Sequence, residues 1–228
     1  MPGHPLDNPI WNALTTAHAS LAVGGKLARR YDPAMTPLTG MAAPTADAFG
    51  ELSGLLERQR VGAMFFDVAP ATPDGWTLLH ESPLAQMVWD GRAVAPGAAD
   101  ILELGPADVP EMVDLATRTE PGPFAERTRD LGTYLGIRDG SRLLAMAGER
   151  LKLADYVEVS AVCTDPSARG RGYASRLVTE VVRRIMAGGR TPFLHVRQDN
   201  EGAIRVYESL GFTTRRVLEL RVFRRPER

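Results

Sequence analysis

The segment Asp165-Pro-Ser-Ala-Arg169-Gly170-Arg171-Gly172-Tyr173-Ala174 joins a valine-rich stretch ending at Thr164 to an amphipathic pattern beginning at Gly172. Glycines remove side chains where a ligand could approach the backbone, and they permit dihedrals that let consecutive N–H groups converge. A helix starting at Gly172 would add the positive end of its dipole, so a pyrophosphate is the natural guest. Arg169 and Arg171 supply nearby positive charge. A Walker A loop would need Gly-Lys-Ser/Thr, and Tyr173-Ala174-Ser175 does not provide it. A dinucleotide fingerprint would need a third glycine where Ser175 stands, and an acidic residue about twenty positions on. What remains is Arg169-x-x-Gly172-x-Ala174. Taken alone, that hexapeptide is also compatible with a glycine-rich turn carrying solvated arginines.

Other reactive side chains are sparse. Cys163 is the single cysteine, which excludes an internal disulfide framework and a multi-thiolate zinc site. It lies in the valine-rich stretch with no positioned His or Asp evident, and its side chain reads as inert core. His4, His18, His80 and His195 lack metal-ligand spacing, so no metal is expected. If residues 156–164 alternate as a strand, Glu158, Ser160 and Val162 share one face. On a helix after Asn200, Ala203, Tyr207 and Leu210 share one face.

The elements that must position these groups can be read from periodicity. Tyr156 to Thr164 reads as a strand. Gly172 to Ala187 reads as a helix, with Leu177, Val178, Val181, Val182 and Ile185 at helical spacing and Glu180 four residues before Arg184 on the polar face. Phe193 to Val196 is a strand, Asn200 caps a helix to Leu210, Gly211 stops it, and Phe212 to Phe223 supplies a last strand. Upstream, Ile101 to Leu104 is a strand. Helical stretches come next at Ala107 to Thr119 and Phe124 to Arg129. Thr133 to Arg138 and Arg142 to Arg150 flank Asp139-Gly140, a hairpin turn. The first half reads as a helix at Trp11 to Leu21, a strand at Leu27 to Tyr31, a helix at Thr45 to Arg58, and strands at Val61 to Val68 and Trp76 to Trp89. The small, aperiodic stretch Asp90 to Asp100 divides the chain into residues 1–96 and 97–228. The fold class is α+β: a mixed, mostly antiparallel sheet flanked by helices, with a smaller N-terminal α+β domain that packs or shapes a substrate site.

Over 228 residues the chain is 44% hydrophobic and 24% charged, with a net charge of −1. That composition disfavours disorder and a dedicated nucleic-acid binder. No secretory signal and no apolar run of membrane-spanning length is visible, so a cytoplasmic protein with no membrane partner is expected. A homodimer is neither implied nor excluded.

Downstream residues give the hexapeptide its context. Arg169-x-x-Gly172-x-Ala174 resembles the Q/R-x-x-G-x-G/A signature of the GNAT acyl-CoA N-acyltransferase superfamily. Phe193-Leu-His-Val196 resembles the family's fifth strand, and Asn200 to Phe212 resembles its N-x-x-A-x-x-x-Y-x-x-x-G-F block. The specific match spans residues 156–213, and the element order extends it to 99–228; residues 1–95 match no motif, though their order is compatible with a degenerate copy of the same fold. The resemblance implies acetyl-CoA or another acyl-CoA as cosubstrate and an amine as acceptor. It implies that Arg169, Gly170, Arg171, Gly172, Tyr173 and Ala174 hold the pyrophosphate. Val162, Cys163 and Thr164 would run along the pantetheine arm, with Asn200 beside it. Tyr207 would protonate the departing thiolate, and Glu158 would act as general base or contact the substrate. A non-catalytic CoA-binding module is the competing reading.

Overall fold

The computed structural model describes residues 3–57, 60–94 and 100–225. Eight strands form one sheet in the order β4-β11-β5-β10-β9-β8-β7-β6. These are β4 (Val61–Phe66), β5 (Thr77–Trp89), β6 (Leu102–Glu103), β7 (Tyr134–Asp139), β8 (Arg142–Lys152), β9 (Tyr156–Thr164), β10 (Thr191–Arg197) and β11 (Phe212–Arg224). All neighbouring pairs are antiparallel except β9 and β10. A second, small sheet joins β1 (Val23–Gly24), β2 (Ala28–Arg30) and β3 (Thr39–Met41). The helices are α1 (Pro9–Thr15), α2 (Ala46–Leu55), α3 (Val109–Thr119), α4 (Tyr173–Ala187) and α5 (Glu201–Leu210). This is the mixed, mostly antiparallel α+β architecture that the sequence predicts.

Helix α4 is held to the sheet by its periodic apolar face: Leu177, Val178, Val181, Val182 and Ile185 are each at most 3% exposed. Burying side chains of this size contributes roughly 1.5–3 kcal/mol apiece. Glu180 is buried as well, not on a solvated face. It accepts hydrogen bonds from Arg183 and Arg184, whose charges hold its carboxyl down at about 2.

Two helical expectations give way to shorter structure. The stretch Trp11 to Leu21 is split into α1 and a single 3-10 turn, Ala19–Leu21. The Oγ1 atoms of Thr15 and Thr16 bond back to α1 carbonyls and close its end. Phe124 to Arg129 is not helical as a whole; only a 3-10 turn at Thr128–Leu131 forms. Pro121-Gly-Pro123 precedes it, and Thr128 Oγ1 accepts from Ala125 N and donates to the distant Met35 carbonyl, which favours a compact turn.

The expected boundary at residue 96 lies outside the described residues. On either side of it the large sheet is continuous. Strand β5, from the first half, sits between β10 and β11 of the second half, and β4 pairs with the outer edge of β11. Among the described residues no helix is long and apolar enough to cross a membrane.

Candidate active site

Strand β9 creates the site by parting from β10. Their parallel pairing runs from Thr191–Tyr156 to Phe193–Glu158 and stops there. Past Glu158, β10 pairs only with β5, so residues 159–164 have no strand neighbour on that side. A bulge accompanies the separation. Ser160 opposes Gly148 and Cys163 opposes Met146, so Ala161 and Val162 share one position opposite Ala147. Ala161 takes φ 51°, a left-handed conformation costly for a residue with a Cβ.

Two cavities open at this split. The first, of about 440 Å³, lies between β9, the loop before α4, and α5; it is lined by Val162, Cys163, Thr164, Arg169, Gly170, Gly172, Tyr173 and Ala174 among others. The second, of about 510 Å³, lies on the other side, against β10, β11, β4 and β5. Val162, Ala203 and Tyr207 line both, so the cavities meet there.

The loop of the first cavity is built as the sequence predicts. Gly170 and Gly172 have φ 77° and 74°, and Gly172 caps α4. A Cβ at either would meet open space, so what requires glycine is the backbone conformation. Arg171 does not line this cavity, whereas Arg169 does. Among the described residues neither arginine forms an ion pair. Thr164 Oγ1 is buried with no hydrogen-bond partner among the described residues. A ligand bearing donors, acceptors and an anionic group therefore fits this side on two counts: an orphaned buried hydroxyl and an open left-handed glycine pair at a helix start.

Sequence reasoning misses what fastens this loop. The Asp165 carboxylate is buried and accepts from Ser167 N and Oγ, from Arg118 of α3 at 2.5 Å and from Arg142 of β8 at 2.8 Å. These bonds hold its carboxyl far below the usual carboxylate range. Asp165-Pro166 is legible as a strand terminator. Its partners lie 47 and 23 residues away, and no local signal names them.

Tyr207 stands at the junction on α5 and packs on Phe212. Burial, and secondarily the proximity of Cys163, push its phenol up to about 12, so the proton stays on. Its hydroxyl has no hydrogen-bond partner among the described residues. The Cys163 side chain is 6% exposed, and burial raises its thiol to about 11. Asn200 caps α5 by accepting from Ala203 N at 3.1 Å and lines the second cavity, not the first.

Glu158 lines neither cavity. It is 0% exposed, and Arg150 grips it with two hydrogen bonds, Nε to Oε2 at 2.8 Å and Nη2 to Oε1 at 2.6 Å. His195 Nδ1 adds a third at 2.7 Å. Burial alone would raise this carboxyl; Arg150, and then His195, overcome it and hold it at about 2. The orientation of His195 is set by its neighbours. Gln86 Oε1 accepts from Arg215, so its Nε2 group donates to the Leu6 carbonyl and to His195 Nε2. His195 Nε2 therefore accepts, and Nδ1 carries the hydrogen given to Glu158. Both ring nitrogens are committed. Arg150 and Gln86 are absent from the sequence-derived set. The sequence marks Arg150 only as a strand end, and Gln86 only as one residue of a strand.

The second half of the chain, residues 134–222, matches the FR47-like protein family. A crystal structure from Novosphingobium aromaticivorans, assigned to the GNAT family of acetyltransferases, superposes with a TM-score of 0.91 at 40% identity, covering 97% of this chain and 98% of that one. The N-alpha-acetyltransferase RimI of Mycobacterium tuberculosis is 36% identical over 101 residues, 41% of this chain and 62% of the relative. The mycothiol acetyltransferase of Streptomyces scabiei is 32% identical over 168 residues, 70% of this chain and 50% of the relative. The match thus spans between half and about three-fifths of the length of these two curated relatives.

Proposed function

The chain belongs to the GNAT family of acetyltransferases, and from that premise we propose that it moves an acyl group, in the first instance acetyl, from a CoA thioester to an amine. Attack is direct, with both substrates bound at once. The observation that carries this reading is the meeting of two cavities at Val162 and Tyr207. A donor in one and an acceptor in the other would face each other across that junction, which is the proximity that direct transfer needs.

On this reading the donor occupies the first cavity. The backbone of residues 169–174 and the start of α4 hold its pyrophosphate. The free edge of β9 from Val159 to Thr164 offers main-chain groups to the pantetheine arm as an added strand would. Thr164 Oγ1 gains the partner it lacks among the described residues. The thioester supplies the activated acyl group. The N–H groups of the splayed edge near Val162 would offer donors to a carbonyl oxygen gaining charge. Tyr207 holds a proton at Oη for the departing sulfur. A phenol raised to about 12 stays protonated near neutral pH, so its O–H is there to hydrogen-bond the sulfur and share the proton as negative charge develops.

Glu158 then serves as an anchor, not as the group that takes the amine proton, because Arg150 and His195 occupy its oxygens. It fixes Arg150, which lines the acceptor cavity, and it fixes the His195 ring. Among the described residues the one carboxylate lining the acceptor cavity is Glu120. Glu120 would pair with an ammonium entering there. One proton passes to solvent before the amine attacks, and the proton lost as the C–N bond forms and the C–S bond breaks restores the one that Tyr207 gives to sulfur. Residues 3–94 supply one wall of the acceptor side through β4, β5 and the segment before β4, so the first half is a substrate-shaping part of one enzyme.

Thermal unfolding with acetyl-CoA, CoA and ATP in parallel tests the donor assignment. A ligand at about 100 times its dissociation constant adds roughly 2.7 kcal/mol to the folded state. Stabilisation by acetyl-CoA and CoA without a shift from ATP is expected. No shift with either CoA species would remove the basis of the proposal. Stabilisation without CoA release for any amine would favour a binding module.

A further inference from the structure

The acceptor cavity has a chemistry of its own. Its walls come from Leu38, Phe65 of β4, Leu84 of β5, and Leu220 and Val222 of β11, with Ala63 beside them. Five ionisable side chains line it: Glu120, Arg150, His195, Arg197 and Tyr207. Arg150 is neutralised by Glu158 beneath it. His195 is committed at both nitrogens. Arg197 is 63% exposed and turned to Asp199, with hydrogen bonds of 3.0 and 2.5 Å. Tyr207 keeps its proton. That leaves Glu120, exposed and without an ion pair among the described residues. Its backbone is held at φ 49°, ψ 51° as the left-handed cap of α3, and Pro121-Gly-Pro123 stiffens the chain just beyond it.

We infer that this cavity accepts a primary monoamine carried on an apolar body, with Glu120 receiving the single ammonium and the β4–β5–β11 wall receiving the rest. The inference rests on the acyl-transfer reading and specifies its acceptor. The second ammonium of a polyamine, or of an aminoglycoside-like polycation, would lie against leucine, valine and phenylalanine, with Arg150 also lining the cavity and no second carboxylate among the described lining residues. Burying an unpaired charge there is strongly unfavourable. An alkyl or aryl body gains about 0.8 kcal/mol per buried methylene, about fourfold in kcat/KM.

The test is a ladder of straight-chain amines from propylamine to octylamine, with phenethylamine and spermidine, at saturating acetyl-CoA. Release of CoA thiol gives kcat/KM. Amine-dependent thermal stabilisation in the presence of CoA, where no transfer can occur, gives binding apart from turnover. Specificity is expected to rise about three- to fourfold per methylene until the cavity fills, with spermidine at least tenfold below hexylamine in both readouts. A flat ladder, or spermidine as the best acceptor, overturns the inference and leaves acyl transfer standing. So does a strong preference for octanoyl-CoA over acetyl-CoA with propylamine, since the cavity would then hold the acyl chain. Failure of acetyl-CoA to stabilise the protein at all would instead overturn the acyl-transfer reading.

Leu220→Trp and, on the same wall, Val222→Phe should shorten the ladder. Hexylamine is expected to lose more than tenfold in kcat/KM while propylamine changes less than threefold. If either folded variant treats both amines alike, this wall does not touch the acceptor and the inference falls.

Discussion

The two sides of the junction are built by opposite means. The donor side is nearly a single run of chain: the end of β9, the glycine loop and the start of α4, residues 162–175, with α5 laid across it. The acceptor side is drawn from separate places: residues 37–38, Ala63 and Phe65, Leu84, 120–123, Arg150, His195, and Leu220 and Val222. Local construction uses dihedrals and a helix start, which one short motif specifies. Assembled construction uses long-range packing and a buried ionic network, and each wall can change without disturbing the glycine loop. A family can then keep one donor and vary its acceptors.

The largest effect should come from the assembled side. Replacing Glu158 by Gln leaves Arg150 buried without its counter-charge, and breaking such a pair typically costs about 3–5 kcal/mol. The pH dependence carries the same information. The folded-state value, about 2, lies below the ordinary 4.5, so the ionised carboxylate stabilises the fold above pH 4.5. That contribution, about 3 kcal/mol for a shift of this size, fades as pH falls from 4.5 towards 2. Urea unfolding of both proteins should show the gap full at pH 7 and narrowing only below 4.5. A variant with unchanged stability at pH 7 would mean that the Arg150–Glu158–His195 cluster does not hold the acceptor side together.

At the junction the expected loss is catalytic. Tyr207→Phe removes a hydroxyl that has no hydrogen-bond partner among the described residues, so the fold should lose little. Loss of a general acid typically lowers rate about 100-fold or more. kcat should fall on that scale while the acetyl-CoA dissociation constant moves less than threefold. Equal losses in kcat and in donor affinity would make Tyr207 part of the donor wall alone, and the two sides would no longer be joined by a shared acid.

What the sequence reveals obeys the same division. The glycine loop, the apolar face of α4, the Asn200 cap and the succession of strands along the second half are readable because each is written within a few neighbouring residues. Glu158 is readable as a residue but not as an anchor. Its partners Arg150 and His195 are 8 and 37 positions away, and the Gln86 amide that orients His195 is 109 from it. The insertion of β5 between β10 and β11 is hidden for a related reason. Strand pattern gives a strand's faces, but the neighbour it will choose depends on packing across the whole chain.

The smallest effect, and the finest test of local construction, is Gly172→Ala. A Cβ there meets nothing, so no clash contributes; the cost is that of holding an L-residue at φ 74°, roughly 1–2 kcal/mol. That cost has two places to appear. If the loop is already formed before the donor arrives, the strain falls on folding: urea unfolding shows a loss of about 1–2 kcal/mol, and acetyl-CoA affinity is nearly unchanged. If alanine lets the free loop relax into another conformation, the loss appears in binding, as an acetyl-CoA dissociation constant raised about five- to thirtyfold at unchanged stability. The sum of the two losses should stay near the cost of one left-handed alanine either way. A sum near zero would mean that Gly172 does not need its positive φ. A much larger loss confined to binding would mean that the donor approaches the backbone so closely that it excludes even a methyl group. The donor side would then depend on contact as much as on conformation, and it would differ from the acceptor side less than its local construction implies.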